Sequence, residues 1–462
     1  MRNGDWAGKT VLVLGLGDTG LSCVRWLARK GARLRGADTR QAPPGLGAVR
    51  EAVPGIRVDL GPFGSASLAG VDAVAASPGI ALREPVLREA AARGIEIVGD
   101  VEIFAREVAR SAPGARVIGI TGTNGKSTVT ALVGAMSRAA GRRTVVAGNI
   151  GLPVLDALRD AEDRGHPEYY VIELSSYQLE TTASLALASA AMLNLSQDHL
   201  DRYDSMQAYA DAKARIFRHG GTRVLNRDDP WSIGMKGGRT HTFGLDAPRN
   251  DEEWGIANGR LVQGREAIVA LEELPMAGLH NAANALAAHA LCRSAGLGDG
   301  AGPGEDSLAR AIREFRGLPH RVERVAAARG VVFYDDSKGT NVGATVAALE
   351  GMRETSVLIA GGDGKGQDFA PLVPAVRQKA RAVVLIGRDA PAVEAALAPA
   401  GVPCQRAATM AEAVEVAFGL AKAGDAVLLS PACASLDMFA NYKQRGEVFA
   451  TAARALAKRM EG

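Results

Sequence analysis

The segment Thr121-Gly-Thr-Asn-Gly-Lys-Ser-Thr128 follows an apolar run and combines the residue types that hold a polyphosphate. Its glycines free backbone N–H groups to surround phosphate oxygens. The Lys126 ammonium can reach the terminal phosphates, and the Ser127 hydroxyl can ligate Mg2+. The strict phosphate-loop spacing asks for glycine five positions before Gly125, where Ile120 stands. The mechanics survive that mismatch, and residues 129–140 are expected to supply the helix whose N-terminus faces the anion. Two further segments put acid or imidazole at the ends of apolar strands. Glu173 ends Tyr169-Tyr-Val-Ile-Glu, where a carboxylate can approach a metal, and Asp198-His199 follows the run at 190–193 as a metal or phosphate ligand set. Lys213, in Tyr209-Ala-Asp-Ala-Lys-Ala-Arg, reads by itself as part of a solvated helix face.

A second glycine loop, Gly15-Leu-Gly17-Asp-Thr-Gly20, lies earlier in the chain, with Asp38 closing the next strand. This spacing meets the dinucleotide fingerprint, with an acid placed for a ribose hydroxyl. Three readings stay open: an NAD-type cofactor, a turn needed only for strand–helix packing, or a related crevice for another nucleotide diphosphate. In the last third, Asp335-Asp-Ser-Lys338-Gly-Thr340-Asn341 is expected to follow a strand and open a helix. Gly361-Gly-Asp-Gly-Lys365 and Ser430-Pro-Ala-Cys-Ala-Ser435-Leu436 are expected to do likewise. Lysines and hydroxyls at helix N-termini would make a carboxylate-binding arc. Cys433 reads as a packing residue, with no histidine motif nearby.

Positioning these loops requires a repeated architecture. Three times a Val-, Ile- or Leu-rich run is followed by glycines and a helical stretch, beginning near Thr10, Val117 and Val357. Continuous apolar strands ending in glycine loops are what buried parallel sheets with crossover helices require, so the fold class is α/β. The 462 residues suit about three domains. Ser111-Ala-Pro-Gly reads as a linker, a second boundary falls near Gly317, and the Gly-rich stretch 295–304 reads as a surface loop between helices.

Composition narrows the function classes. A 47% hydrophobic and 23% charged chain is ordinary globular protein. With 5% aromatics and a net charge of +3, the chain offers neither a base-stacking surface nor a field for nucleic acid. The excess of Arg over Lys suits anionic ligands and equally suits genomic composition. Cys23, Cys292, Cys404 and Cys433 form no CxxC pair, which fits a reducing cytosol. No signal peptide and no membrane span are expected, because no apolar run approaches the ~18–20 residues a bilayer needs.

In this order the motifs resemble the Mur ligases, from Gly15 to Arg445. Residues 121–128 match the family's ATP loop and His280-Asn-Ala-Ala-Asn284-Ala its HNxxNxxAA helix. Leu318-Pro-His-Arg321, Asp336-Ser-Lys338, Gly362-Asp-Gly-Lys365 and Leu429-Ser-Pro-Ala-Cys-Ala-Ser435 complete the set. Sibling ligases carry DNPR or an HHP-type loop in the final domain, and neither stands here. The resemblance is nearest to the members that add D-glutamate to UDP-N-acetylmuramoyl-L-alanine with ATP in cytoplasmic peptidoglycan precursor synthesis, through an acyl phosphate. It implies three domains: a Rossmann-like UDP-sugar domain (1–111), a central P-loop ATPase-like domain (112–317) and a Rossmann-like amino-acid domain (318–462). The chain would be a monomer that closes around its substrates, with no nucleic acid and no membrane insertion.

The resemblance also implies roles for individual residues. Gly122, Thr123, Asn124, Gly125, Lys126, Ser127 and Thr128, with Asn284, Arg321 and Asp336, would line the ATP site. Ser127, Glu173 and His199 would serve Mg2+. Lys213 resembles the family's carbamylated lysine, which would help hold a second Mg2+ and displaces the solvated-face reading. Lys126, His199 and Lys213 form the implied catalytic group. Thr19, Thr39, Arg40 and Asn149 would meet the UDP-sugar; Lys338, Thr340, Lys365, Ser435, Leu436 and Tyr442 would meet the amino acid. The family often has Phe where Tyr442 stands. A nicotinamide dehydrogenase would leave the Lys126 loop unused. A folate-type polyglutamate ligase would not call for the first glycine loop. A non-catalytic nucleotide-binding regulator would not need Lys126, Glu173, His199 and Lys213 together.

Overall fold

The computed structural model describes residues 6–200, 202–276, 278–298 and 306–461. Strands gather into three sheets. The first comprises β1 (Thr10–Leu14), β2 (Arg33–Asp38), β3 (Arg57–Leu60), β4 (Ala73–Ala76) and β5 (Glu96–Val98). All are parallel, in the order β3-β2-β1-β4-β5. The chain order reverses beside β1, so the crevice above its C-terminal end, where Gly15 turns, is the ligand position of such sheets. That turn tolerates no side chain at two of its glycines: Gly15 has φ +83, and a Cβ on Gly20 would stand 1.9 Å from the Gly15 carbonyl oxygen.

The second sheet is larger. Its parallel part contains β6 (Arg116–Thr121), β7 (Thr144–Gly148), β8 (Tyr169–Glu173), β9 (Ser189–Met192), β10 (Thr222–Asn226) and β11 (Thr240–Phe243). The edge strands β12 (Glu253–Ala257), β13 (Arg260–Gln263) and β14 (Glu266–Ala270) complete the order β14-β13-β12-β11-β10-β9-β6-β8-β7. β8 is buried along its whole length and β6 after its first residue, as strands covered by helices on both faces must be. The helix Lys126–Ala139 starts three residues before the expected position, immediately after Gly125. The parallel expectation fails at the edge, where β12, β13 and β14 pair antiparallel. Asn258-Gly259, both with positive φ, form the β12–β13 turn; Asn-Gly is a strong hairpin signal.

The third sheet contains β15 (Glu323–Ala328), β16 (Val331–Asp335), β17 (Ser356–Gly361), β18 (Ala380–Ile386), β19 (Cys404–Arg406) and β20 (Ala426–Leu429), ordered β15-β16-β20-β17-β18-β19. Here β15 is antiparallel to β16 and the other pairs are parallel. As expected, residues 335–341 lead from β16 into the helix Val342–Gly351, capped by Asn341. The loops after β17 and β20 do not open helices. The next helices begin only at Leu372 and Tyr442, and an Asp363–Ala434 bridge joins the two loops instead. Lys365 therefore lies in a left-handed loop position (φ +51), not at a helix N-terminus. The glycine stretch expected at 295–304 lies between the helices Leu279–Ser294 and Ser307–Glu314; residues 299–304 are outside the described residues. No helix among the described residues is long and apolar enough to cross a membrane.

Candidate active site

The loop after β6 is held from below by the segment after β9. Thr123 N–H donates to the Asn194 carbonyl at 2.9 Å and Asn124 N–H to Asn194 Oδ1 at 2.8 Å. Gly122 (φ +150) and Gly125 (φ +83) take backbone angles that side chains oppose, and a Cβ on Gly125 would approach Asn284 Oδ1 to 2.5 Å. The loop thus bends around an open concavity lined by N–H groups at a helix start. Lys126 Nζ donates to the carbonyls of Gly122 (3.0 Å) and Thr123 (2.8 Å). Burial pulls its pKa down, opposed by the charges of Glu173 and Asp198.

Lys213 reaches the same loop from behind. Its side chain is buried, and Nζ donates to the Gly122 carbonyl at 2.8 Å, on which Lys126 also converges. Burial, reinforced by the Lys126 charge, pushes the Lys213 pKa well below that of an ordinary lysine. The neutral amine thereby favoured is the nucleophilic form. At the end of β8, buried Glu173 accepts from Asn149 Nδ2 through Oε1 at 2.9 Å, while Oε2 is buried without a hydrogen-bond partner. An orphaned anionic oxygen beside two lysines and a phosphate loop fits a hard divalent cation. His199 has a left-handed backbone (φ +59), its Nδ1 is 2.7 Å from the Tyr177 hydroxyl, and its Nε2 is 3.7 Å from Asp198 Oδ2. Desolvation lowers its pKa, opposed by Asp198, which keeps the imidazole available as a metal ligand.

Beyond the loop opens a cleft of about 260 Å3, lined by Asn124, Gly125, Thr128, Asn284, Arg321, Asp336 and Lys338, with Phe243 and Leu245 opposite. The third sheet closes onto the second here. Arg321 Nη2 donates to Ser127 Oγ at 2.7 Å, and Asn341 Nδ2 donates to Asn124 Oδ1 at 3.1 Å. Burial raises Asp336 to about 7, opposed by the Ser430 hydroxyl that donates to its Oδ2 at 2.7 Å. Lys338 is pulled down to about 8 by burial, then by Arg321 and Lys126, and its Nζ stands 4.0 Å from the Tyr442 ring centroid.

The expected residues therefore fall into groups. Gly122 to Thr128, Asn149, Glu173, Lys213, Asn284, Arg321, Asp336 and Lys338 meet around one loop and one cleft. Thr340 lies two residues after Lys338, its N–H on the Lys338 carbonyl at 2.8 Å. Ser435 is buried at the bridged loops, Leu436 is 71% exposed and Lys365 is exposed beside them. Thr19, Thr39 and Arg40 are carried by the first sheet. Arg40 pairs with Asp38, and this corrects the ribose-acid reading. Both Asp38 oxygens are taken, by Leu16 N–H (2.7 Å) and by the Arg40 guanidinium (2.7 and 2.8 Å), which holds the carboxyl at about 2. Lys213 is no solvated face. Cys433 is fully buried with its thiol pushed up to about 12 by burial, inert as expected. Sequence reasoning missed Asn194, Tyr177 and His280. His280, which lines the cleft, carried a signal as the neighbour of Asn281 in a quoted motif, whereas Asn194 and Tyr177 act through tertiary contacts with no local signature.

Comparison with known proteins completes the description. Residues 9–99 match the Mur ligase MurD-like N-terminal domain, 120–292 the Mur ligase middle domain, and 320–433 the Mur ligase glutamate ligase domain. The UDP-N-acetylmuramoylalanine--D-glutamate ligase of Methylobacillus flagellatus is 57% identical over 98% of each chain, and that of Thiobacillus denitrificans 55% identical over 98% of this chain and 97% of its own. Among solved structures, the UDP-N-acetylmuramate-alanine ligase MurC of Thermotoga maritima superposes with a TM-score of 0.60 at 18% identity, covering 97% of this chain and 99% of that one.

Proposed function

This chain belongs to the Mur ligase family, and on that premise we propose that it is the ATP-dependent ligase joining D-glutamate to UDP-N-acetylmuramoyl-L-alanine in peptidoglycan precursor synthesis. The observation that carries the reading is the convergence of Lys126 and Lys213 on the Gly122 carbonyl, beside the phosphate loop and the orphaned Glu173 oxygen. In this reading residues 1–111 bind the UDP-sugar, 112–317 bind ATP and 318–462 bind the amino acid. The enzyme is a cytoplasmic monomer.

A carboxylate resists attack by an amine, because it is anionic and its oxygen leaves poorly. The muramyl-alanine carboxylate therefore attacks the γ-phosphorus of ATP and expels ADP, and the resulting acyl phosphate is opened by the D-glutamate amine, which loses a proton as the amide forms and phosphate leaves. Lys126 exchanges its loop carbonyls for phosphoryl oxygens and offsets the charge that develops there. Asn284, Arg321 and Asp336 fix the nucleotide in the cleft. Glu173, His199 and Ser127 would hold Mg2+, which when bound would neutralise phosphate charge. Neutral Lys213 attacks CO2 and loses a proton to become a carbamate, adding the anion that a second Mg2+ requires. Thr19, Thr39, Arg40 and Asn149 meet the UDP-sugar. Lys338, Thr340, Lys365, Ser435, Leu436 and Tyr442 meet D-glutamate and, with the closed sheets, keep water from the acyl phosphate.

The test is phosphate release from ATP with UDP-N-acetylmuramoyl-L-alanine and, separately, D-Glu, L-Glu, L-Lys or meso-diaminopimelate, in Mg2+ and bicarbonate buffer. Release that requires D-Glu supports the proposal. Release with another amino acid moves the chain to a sibling specificity, and none with any of them refutes the ligase.

A further inference from the structure

The backbone of His199 is fully committed: its N–H donates to Asp198 Oδ1 at 3.0 Å, and its carbonyl accepts from the N–H groups of Arg202 (2.9 Å) and Tyr203 (3.0 Å). The ring is therefore aimed by what touches its edges. Tyr177 Oη lies 2.7 Å from Nδ1, with ring centroids 4.8 Å apart. A neutral imidazole has one donor and one acceptor nitrogen, and the Tyr177 hydroxyl is within hydrogen-bond distance of Nδ1 whereas Asp198 Oδ2 stands 3.7 Å from Nε2, so the contact at Nδ1 is the one that can leave Nε2 its lone pair.

Tyr177 is itself tightly placed. It sits in a single helical turn, Ser176–Glu180, that starts three residues after Glu173 and is closed by a capping box, with Ser175 Oγ accepting from Gln178 N–H and Gln178 Oε1 accepting from Ser175 N–H, each at 3.1 Å. The Arg202 guanidinium stacks 4.5 Å from its ring centroid and is pinned by Glu180 (2.5 Å) and by the Ile80 carbonyl of the first sheet's loops (3.3 Å). One segment thus carries both the Glu173 carboxylate and the hydroxyl that faces His199.

We propose that Tyr177 is a positioning residue for the metal site: its hydroxyl accepts the Nδ1 proton of His199 and so presents the Nε2 lone pair to the cation that Glu173 also holds. This rests on the ligase reading of the site. Outer partners of metal-bound histidines fix tautomer and ring orientation, and losing one typically costs ~10–100-fold in metal affinity. Tyr177→Phe keeps the ring that Arg202 stacks on and removes only the hydroxyl.

Nitrogen-15 NMR of the metal-free full chain, with the His199 signal assigned by its loss in His199→Ala, should report the Nδ1–H tautomer. Mn2+ titration followed by electron paramagnetic resonance, with a non-hydrolysable ATP analogue present, should show Mn2+ bound ~10–100-fold more weakly by Tyr177→Phe than by wild type. Thermal stability should stay unchanged, and Tyr177→Phe should add nothing in a His199→Ala background. An Nε2–H tautomer, wild-type Mn2+ affinity in Tyr177→Phe, or an equal loss without His199 would each overturn the proposal. If wild type releases no phosphate with D-Glu while Mn2+ binding still depends on Tyr177 through His199, the ligase reading fails and the role of the tyrosine stands.

Discussion

In two of its three sheets the molecule places a glycine loop that leads from a central parallel strand straight into a helix, and it equips the two copies differently. Around Gly15 to Gly20 the charges are satisfied internally, with Asp38 consumed by Leu16 N–H and Arg40. Around Gly122 to Lys126 they are left in tension. A buried and a half-buried lysine share one carbonyl, a glutamate keeps an unpartnered oxygen, and an aspartate is pushed up to about 7. Backbone geometry makes both loops anion cradles. The side chains arriving from other strands make only the second a place where charge can be moved.

The largest break in this contrast should come from Lys126→Met. Removing the ammonium that offsets phosphoryl charge should lower kcat by about 10^3-fold or more in a coupled phosphate-release assay, while circular dichroism is unchanged. Lys213→Ala should follow, with about 10^2-fold loss. Wild type incubated with 13C-bicarbonate should show a carbamate resonance that this variant lacks; activity indifferent to the substitution would remove Lys213 from the chemistry.

The first loop sharpens the comparison through its glycines. Gly20→Ala forces a Cβ against the Gly15 carbonyl and should cost about 3 kcal/mol in denaturant unfolding. Gly17 has open space at its Cβ position, so Gly17→Ala should change stability by less than about 0.5 kcal/mol. If the UDP-sugar approaches that backbone, KM for the sugar nucleotide alone should rise.

A pH-dependent effect is expected at Asp336. Its folded pKa of about 7 lies above the unfolded value of about 4. The folded state therefore holds the extra proton, and this group's contribution to stability falls as pH rises from about 4 to about 7. Asp336→Asn should be at least as thermally stable as wild type at pH 8, lose that advantage near pH 4, and show a raised KM for ATP.

Much of this was legible in the sequence because the informative signals are local. The runs at Thr10, Val117 and Val357 became β1, β6 and β17, and the glycine loops stand where they were expected. What stayed hidden depends on tertiary packing. Spacing alone made Lys213 a surface residue, since nothing near it in sequence announces that its helix turns the amine under the loop after β6. Asp38 matched a ribose acid by spacing, yet Arg40, two residues on, closes back onto it. The glycines before Lys365 point to a helix start, yet the strand there is followed by a bridged loop. The β12–β13 hairpin has a local signal in Asn258-Gly259, but the parallel-sheet pattern of the apolar runs says nothing of it.

The central claim is that the second loop transfers phosphoryl to a carboxylate, and oxygen tracing tests it most directly. UDP-N-acetylmuramoyl-L-alanine labelled with 18O in its carboxylate, turned over with ATP and D-glutamate, should deliver one 18O atom into each released phosphate, because the attacking carboxylate oxygen departs with the phosphoryl group. Unlabelled phosphate would mean that water takes the phosphoryl group, and would contradict the account.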